Sequence, residues 1–309
     1  MKKKLLIIGV STFVLASCGG SEESHENSSE ENNSDSTATE TVEEVAEDGA
    51  IDPFPDFPKG AITANTGDYI LTPSVKWQQD ATTGDAADQT FIFYNAKMSA
   101  TGSEYSTVDF TFDGEVDIPN YMIVPIKSGQ TAKKGDIVLT WWQTGSGMQR
   151  AIVVDDANPS EPVVNYIDLD WDNPAKDKDG VGIGQATYQL KPNSFHVLTS
   201  KWEAGTTVAV KNGADYKAAT VIAVSGDQVL TLGFAGKMAV HAKADCTPLE
   251  VKPTVKAGDM VQAPWVGTFK NVKVEKVDAK MGRVWTEDPF SDDPMVIPYG
   301  DITTSLPIQ

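Results

Sequence analysis

Along residues 106–112 the chain alternates: Val108, Phe110 and Phe112 fall on one side of an extended backbone, and Thr107, Asp109 and Thr111 on the other. A strand with one buried face requires that period of two. Short runs rich in β-branched and aromatic residues recur from residue 68 onward, each bounded by Gly, Pro, Asn or Asp. They predict strands at 68–72, 90–94, 106–112 and 121–126, then at 137–138, 150–154, 163–169, 187–190 and 195–198. Further strands are expected at 207–210, 218–224, 228–232 and 238–240, and finally at 260–263, 272–277, 283–285 and 295–298. No stretch of the body carries a helical period of convincing length, and the polar, small-residue stretch 78–88 reads as an exposed loop. The expected fold class is all-β.

The strands come in passages with a shared grammar. A Gly-Asp or Gly-Thr step opens each one: Gly67-Asp68, Gly135-Asp136, Gly205-Thr206 and Gly258-Asp259. An apolar strand, a loop and a Val- or Ala-rich strand follow, which divides the body into units at 60–129, 130–199, 200–250 and 251–309. In the last unit the grammar runs through Gly258-Asp259, Val261, Trp265, Val272-Lys273-Val274, Gly282-Arg283-Val284 and the close Ile297-Pro298-Tyr299-Gly300-Asp301-Ile302. This pattern resembles Tudor-like and agenet-like SH3-type barrels, which implies tandem small barrels in series, each limiting its exposed edges by partial closure. The second unit matches through Gly135-Asp136, Val138, Trp141 or Trp142, and Ala151-Ile152-Val153. The third departs by carrying Thr206 in place of Asp and no aromatic, and the first is looser still. Members of these families include binders of methylated side chains in aromatic cages, peptide binders and plain scaffolds. The resemblance therefore makes Trp265, Phe269, Trp285 and Phe290, with Trp141 and Trp142, candidate binding rings through cation–π attraction. The alternative is core, inter-barrel packing or a peptide groove. For the Trp141-Trp142 pair, alternation places one ring in the core and leaves the other exposed or capped by a neighbour.

Ahead of the body stand Lys2, Lys3 and Lys4, then an apolar run over residues 5–16 that is too short to span a bilayer permanently. It ends in Leu15-Ala16-Ser17-Cys18. That ending resembles the bacterial lipobox, which implies a signal peptide at 1–17 and a palmitate-type acylated Cys18 as the membrane anchor. Glu22 and Glu23 resemble acidic export signals of Bacteroidota lipoproteins. The implied address is the outer membrane, lipid-anchored, facing either the periplasm or the cell surface. Residues 19–50 contain many Glu and Asp and no Lys or Arg, a composition that predicts a disordered acidic tether within 18–59. The proline-punctuated stretch 51–59 reads as the hinge to the body, pinned by Phe54 and Phe57.

Charge narrows the partner class. The chain of 309 residues carries 25 Lys and Arg against 44 Asp and Glu, a net charge of -19, so nucleic acid is not an expected partner. An envelope protein or peptide is. Candidate chemistry is sparse. Cys246 has His241 five residues away, which admits either a reactive pair or a structural thiol. Asp168, Asp170, Asp172, Asp177 and Asp179 alternate in a way that suits the hard oxygen preference of Ca²⁺. Pro174 occupies the place where an EF-hand loop needs Gly, and no Glu closes it, so a solvated acidic loop is the competing reading. A second acidic stretch runs from Glu287 to Asp293. These observations point to a non-enzymatic envelope binding or scaffolding protein. The alternatives are a carboxylate-based hydrolase or a calcium-dependent adhesion protein built on residues 168–180, and a structural spacer.

Overall fold

A computed structural model describes residues 51–83, 89–111, 113–143, 147–168 and 187–308. The fold is all-β, built of antiparallel sheets of which none closes on itself among the described residues. The first sheet holds β1 (Tyr69–Pro73), β2 (Phe93–Ala100), β3 (Tyr105–Phe110), β4 (Gly114–Pro119) and β5 (Val124–Pro125), in the order β4-β3-β2-β1-β5. In the second, β6 (Ile137–Trp141), β7 (Met148–Asp155), β8 (Val163–Tyr166), β9 (Tyr188–Gln189) and β10 (His196–Val197) are ordered β10-β6-β7-β8-β9. The third begins with β11 (Thr207–Asn212), β12 (Asp215–Ser225), β13 (Gln228–Gly233), β14 (Met238–Ala242) and β15 (Cys246–Pro248). It continues through β16 (Met260–Trp265), β17 (Thr268–Asp278), β18 (Arg283–Asp288) and β19 (Ser291–Pro298). Its spine runs β14-β13-β12-β17-β18-β19, with β11 beside β12 and β15, and β16 beside β17. All three sheets lie within one compact unit, Asp48–Gln309.

The Gly-Asp openings are one device used four times. Each is a turn in which residue four donates back to residue one: Asp68 to Asn65, Asp136 to Lys133, Thr206 to Glu203 and Asp259 to Lys256. The third position has positive φ, 88–93° at Gly67, Gly135, Gly205 and Gly258, which is the type II requirement that selects glycine. The turn then clamps one residue of a later strand through its N–H and C=O together. Gly67 N donates to Met98 O (2.7 Å) while Met98 N donates to Asp68 O (2.9 Å), and Val153, Val221 and Val274 are held the same way by the other three turns. Immediately after each clamped residue the strand register shifts, between Met98 and Ala100, Val153 and Asp155, Val221 and Ala223, and Val274 and Lys276. A bulge there bends the strand. The bend lets β12 and β17 pair with different neighbours along their lengths. The Asp carboxylate completes the turn by accepting the N–H of residue one, at Asn65 (2.8 Å), Lys133 (2.8 Å) and Lys256 (2.9 Å). Thr206 departs chemically but not geometrically, since its hydroxyl donates to Lys201 O and Glu203 O instead.

The main core draws on all three sheets, with Leu71 and Phe93 from the first, Leu139 and Ile152 from the second, and Leu230, Val261 and Val284 from the third. Every residue of β6 is buried, so the second sheet is covered on both faces: Ile137, Leu139 and Trp141 join the common core, and Val138 joins a satellite core with Val153 and Phe195. Trp141 and Trp142 accordingly separate. Trp141 is interior and meets Tyr69 of β1 at 4.9 Å, whereas Trp142 is half-buried and covered by Tyr166 at 5.6 Å.

Two expectations about the first unit need correction. Residues 78–83 of the expected loop 78–88 belong instead to a helix, α1 (Val75–Thr83), whose inner side buries Gln78 and Ala81. The polar composition hid its one-sided burial, because the Gln78 amide is interior and donates to Pro73 O at 3.2 Å. Strand β4 was not anticipated either. The hinge is pinned by its rings, with Phe57 buried against Tyr121 (5.3 Å) and Phe54 near Phe91 (6.3 Å). Asp52 adds a polar anchor, accepting from Tyr105, Tyr121 and Lys59.

Candidate ligand groove

Three turns of the third sheet converge on a groove of about 630 Å³. The first joins β16 to β17 through Val266 and Gly267, both with positive φ (46° and 75°), between the paired residues Trp265 and Thr268. That is a type I′ hairpin turn, for which Asn-Gly is the favoured sequence. Val266 is strained there, because a β-branched side chain rarely adopts that conformation. The second is the short 3₁₀ turn Phe234–Gly236 after β13. A Cβ on Gly267 would lie 2.7 Å from that of Phe234, so the glycine gives Phe234 the space to lie across the hairpin. The third joins β18 to β19 and carries Phe290, whose ring meets Trp265 at 4.3 Å and 39°. Phe290, Phe234 and Val266 are 70%, 63% and 59% exposed. Large apolar side chains gathered at one rim are unusual on a soluble surface.

Strand β19 lines one wall, and its pairing explains why that wall stays open. Tyr299 N donates to Gly282 O, and the register continues through Ile297 with Val284 and Met295 with Thr286. Antiparallel alternation turns the amides of residues 294, 296 and 298 away from β18. Pro294 and Pro298 have no N–H to offer, so only Val296 retains one on that side. Prolines at these places are a standard protection of an edge strand.

The deep end is closed by Arg150 of β7. Its guanidinium meets Asp168 (Nη2–Oδ1 2.5 Å) and Asp301 (Nη1–Oδ1 3.1 Å), and also donates to Thr207 Oγ1 and Tyr299 O. Burial works against its charge, but Asp168 and Asp301 outweigh that and push its pKa upward. Asp301 is available for a specific local reason. Pro298, Tyr299, Gly300 and Asp301 repeat the Gly-Asp turn, with Asp301 N donating to Pro298 O and Gly300 at φ 89°. Residue one is now a proline, so the carboxylate finds no turn N–H to accept and reaches Arg150 and Thr207 instead. Gly300 is also sterically required, since an added Cβ would lie 2.8 Å from Arg150 Nη1. Arg283 adds a second interior guanidinium, donating to Tyr166 O (2.8 Å) and Ile167 O (3.2 Å).

Of the candidate rings, the structure brings Trp265 and Phe290 together at the groove. Phe269 (1% exposed) and Trp285 (2% exposed) are interior, and Trp141 ends β6 with Trp142 directly after it, away from the groove. The rings thus supply a two-ring platform rather than a converging cage. Among the acids proposed for Ca²⁺, Asp168 is engaged by Arg150, while Asp170, Asp172, Asp177 and Asp179 lie outside the described residues. Among the described residues no group of three or more His, Cys, Asp and Glu is placed to hold a metal ion. Cys246 is buried among Val208, Val221 and Val229. Burial, with help from Asp245, pushes its thiol up to about 11, which keeps it protonated near neutral pH. Burial also lowers the pKa of His241, against the pull of Asp245. Sequence reasoning missed Phe234 and the role of Arg150. Phe234 carried no signal, but Arg150 did: the chain has only two arginines among its basic residues, and a rare guanidinium heading an apolar strand marks a bidentate interior pairing. No protein-family model matches the chain, and no curated protein matches it.

Proposed function

We propose that the protein is a non-enzymatic binding module of the bacterial cell envelope, anchored to the outer membrane through acylated Cys18 and engaging a partner at the groove of its third sheet. The observation that carries this reading is that half-buried Trp265 lines one open groove together with exposed Phe234 and Val266, with exposed Phe290 packed against the Trp265 ring, the kind of concave, mostly apolar site with a few placed polar groups that ligands use. The strained Val266 supports it, because backbone strain persists chiefly where function requires it. The four clamped turns, each followed by a bent strand, are similar to the strand grammar of SH3-like barrels and supply the rigid frame that holds the rim turns in register. The leader supports the address, with its basic start, short apolar run and Leu15-Ala16-Ser17-Cys18.

Two experiments test the two halves. Cys18→Ser should shift the protein from the membrane fraction to the soluble fraction, and unchanged fractionation would defeat the lipid-anchor half. A photo-crosslinking amino acid at position 266, introduced in living cells, should give a discrete adduct that the same group at exposed Lys211 does not. Identical adduct patterns at the two positions would remove the groove from consideration.

A further inference from the structure

We infer that the occupant of the groove is an extended cationic peptide segment, with Lys or Arg side chains interspersed among apolar ones. This inference rests on the binding-module reading and names the class of partner. Shape gives the first argument. The groove follows β19, an eight-residue strand, for roughly 25 Å at about 3.3 Å per residue. That length suits an extended segment better than a compact metabolite. Because Pro294 and Pro298 leave only the Val296 amide facing outward, such a segment is held mainly by its side chains rather than by a full ladder of added-strand hydrogen bonds.

Charge gives the second. Among the described residues, the charged groups lining the groove are Asp168, Asp288, Asp293 and Asp301, with Arg150 as the one cation. Arg150 is already shared between Asp168 and Asp301, while Asp288 and Asp293 belong to the hairpin that carries Phe290. A Lys ammonium or Arg guanidinium lying over the Trp265–Phe290 platform would meet ring faces and carboxylates together. The same charge argues against the other occupants at hand. The acidic stretch 19–50 of this chain has no cation to offer, and a second copy would bring a net charge of -19 against a groove of the same sign. A methylated cation would forgo the hydrogen bonds that the carboxylates provide, and two rings do not enclose it.

The test uses the acylated protein in detergent micelles and fluorescence anisotropy of dye-labelled ten-residue peptides alternating Leu with Lys, Gln or Glu. The Lys peptide should bind at least tenfold more tightly than the Gln peptide, the Glu peptide should not bind, and raising salt from 50 to 500 mM should erase most of the difference, as screening requires. The double variant D288N/D293N should weaken the Lys peptide severalfold and leave the Gln peptide unchanged. Removing two charges elsewhere, in D109N/E115Q on the facing exposed positions of β3 and β4, should have little effect. Trp265→Ala should weaken both peptides, with circular dichroism reporting that the fold is kept. If Lys and Gln peptides bind equally and both depend on Trp265, the cationic inference is overturned and the groove reading stands. If binding of the Lys peptide ignores Trp265 and responds equally to both charge-removing pairs, the contact is diffuse attraction to an acidic protein, and both readings fall.

Discussion

Arg150 and Arg283 are the only arginines in the chain, and both are interior; the other basic residues are lysines. The division follows from the side chains themselves, since a planar guanidinium keeps its charge in the interior and satisfies two carboxylates at once, whereas an ammonium is a compact, strongly hydrated point. Arg150 ties β7 to Thr207 at the head of β11 and to Asp301 beyond β19. Replacing it with Met leaves Asp168 and Asp301 without their cation, and the expected loss is about 3–5 kcal/mol, the range for breaking a buried pair from one side. Urea denaturation at pH 7.5 measures this. Arg150→Lys should fall between wild type and Met, because charge is kept while the two-sided hydrogen bonding is lost. A Lys variant as stable as wild type would show that charge alone matters there.

At the scale of elements, the hairpin of β16 and β17 shows a conflict between stability and surface. Its turn sequence, Val266-Gly267, satisfies the type I′ geometry at the second position and strains it at the first. Val266→Asn should therefore raise the unfolding free energy by about 1 kcal/mol, within the range for relieving such a conformation, and should also weaken the peptide contact by removing apolar area from the rim. Thermal melts and the anisotropy assay report the two effects separately. A variant with no gain in stability would mean that the valine's packing offsets its strain. The Gly-Asp turns are the contrasting case, where local sequence and local geometry agree. That agreement makes their positions legible in the sequence and makes Thr206 stand out there as the odd member.

At the scale of the whole molecule, the connection from the second sheet to the third is held by a histidine network that sets a pH dependence. Val197 N donates to Gln130 Oε1 (2.8 Å), which orients the amide so that Gln130 Nε2 donates to His196 Nδ1 (3.0 Å). His196 Nε2–H then donates to Glu203, which also accepts from Thr199. Burial, reinforced by Lys127, holds the imidazole below its ordinary 6.5 despite Glu203. In the unfolded chain the imidazole takes up its proton near 6.5, and in the folded one only at lower pH. Stability is therefore complete above that value and falls as pH drops through it, levelling off below the folded pKa. Glu203 is itself lowered, through Thr199 and His196 acting against burial, so its own contribution is lost further into acid, below its ordinary 4.5. His241 shifts in the same direction as His196. Denaturant midpoints should decline between pH 8 and pH 5, and His196→Gln should flatten part of that decline. An unchanged slope in the variant would place the acid sensitivity elsewhere.

The sequence by itself determined what depends on neighbours along the chain. Alternation at residues 106–110 gave β3 its buried Val108 and Phe110, the Gly-Asp steps located the turns, and the apolar runs of the third and fourth passages marked strands where β11–β13 and β16–β18 stand. Only the tertiary structure decided which faces meet. Whether a polar residue such as Gln78 is buried, whether Trp141 or Trp142 faces the common core, and whether Phe234 lies across Gly267 all depend on surfaces distant in sequence. The Arg150 cluster shows both sides: Pro298 locally frees the Asp301 carboxylate, but the guanidinium that takes it comes from a strand 151 residues away. Local chemistry can make such a group available, and only packing between sheets brings its partner within reach.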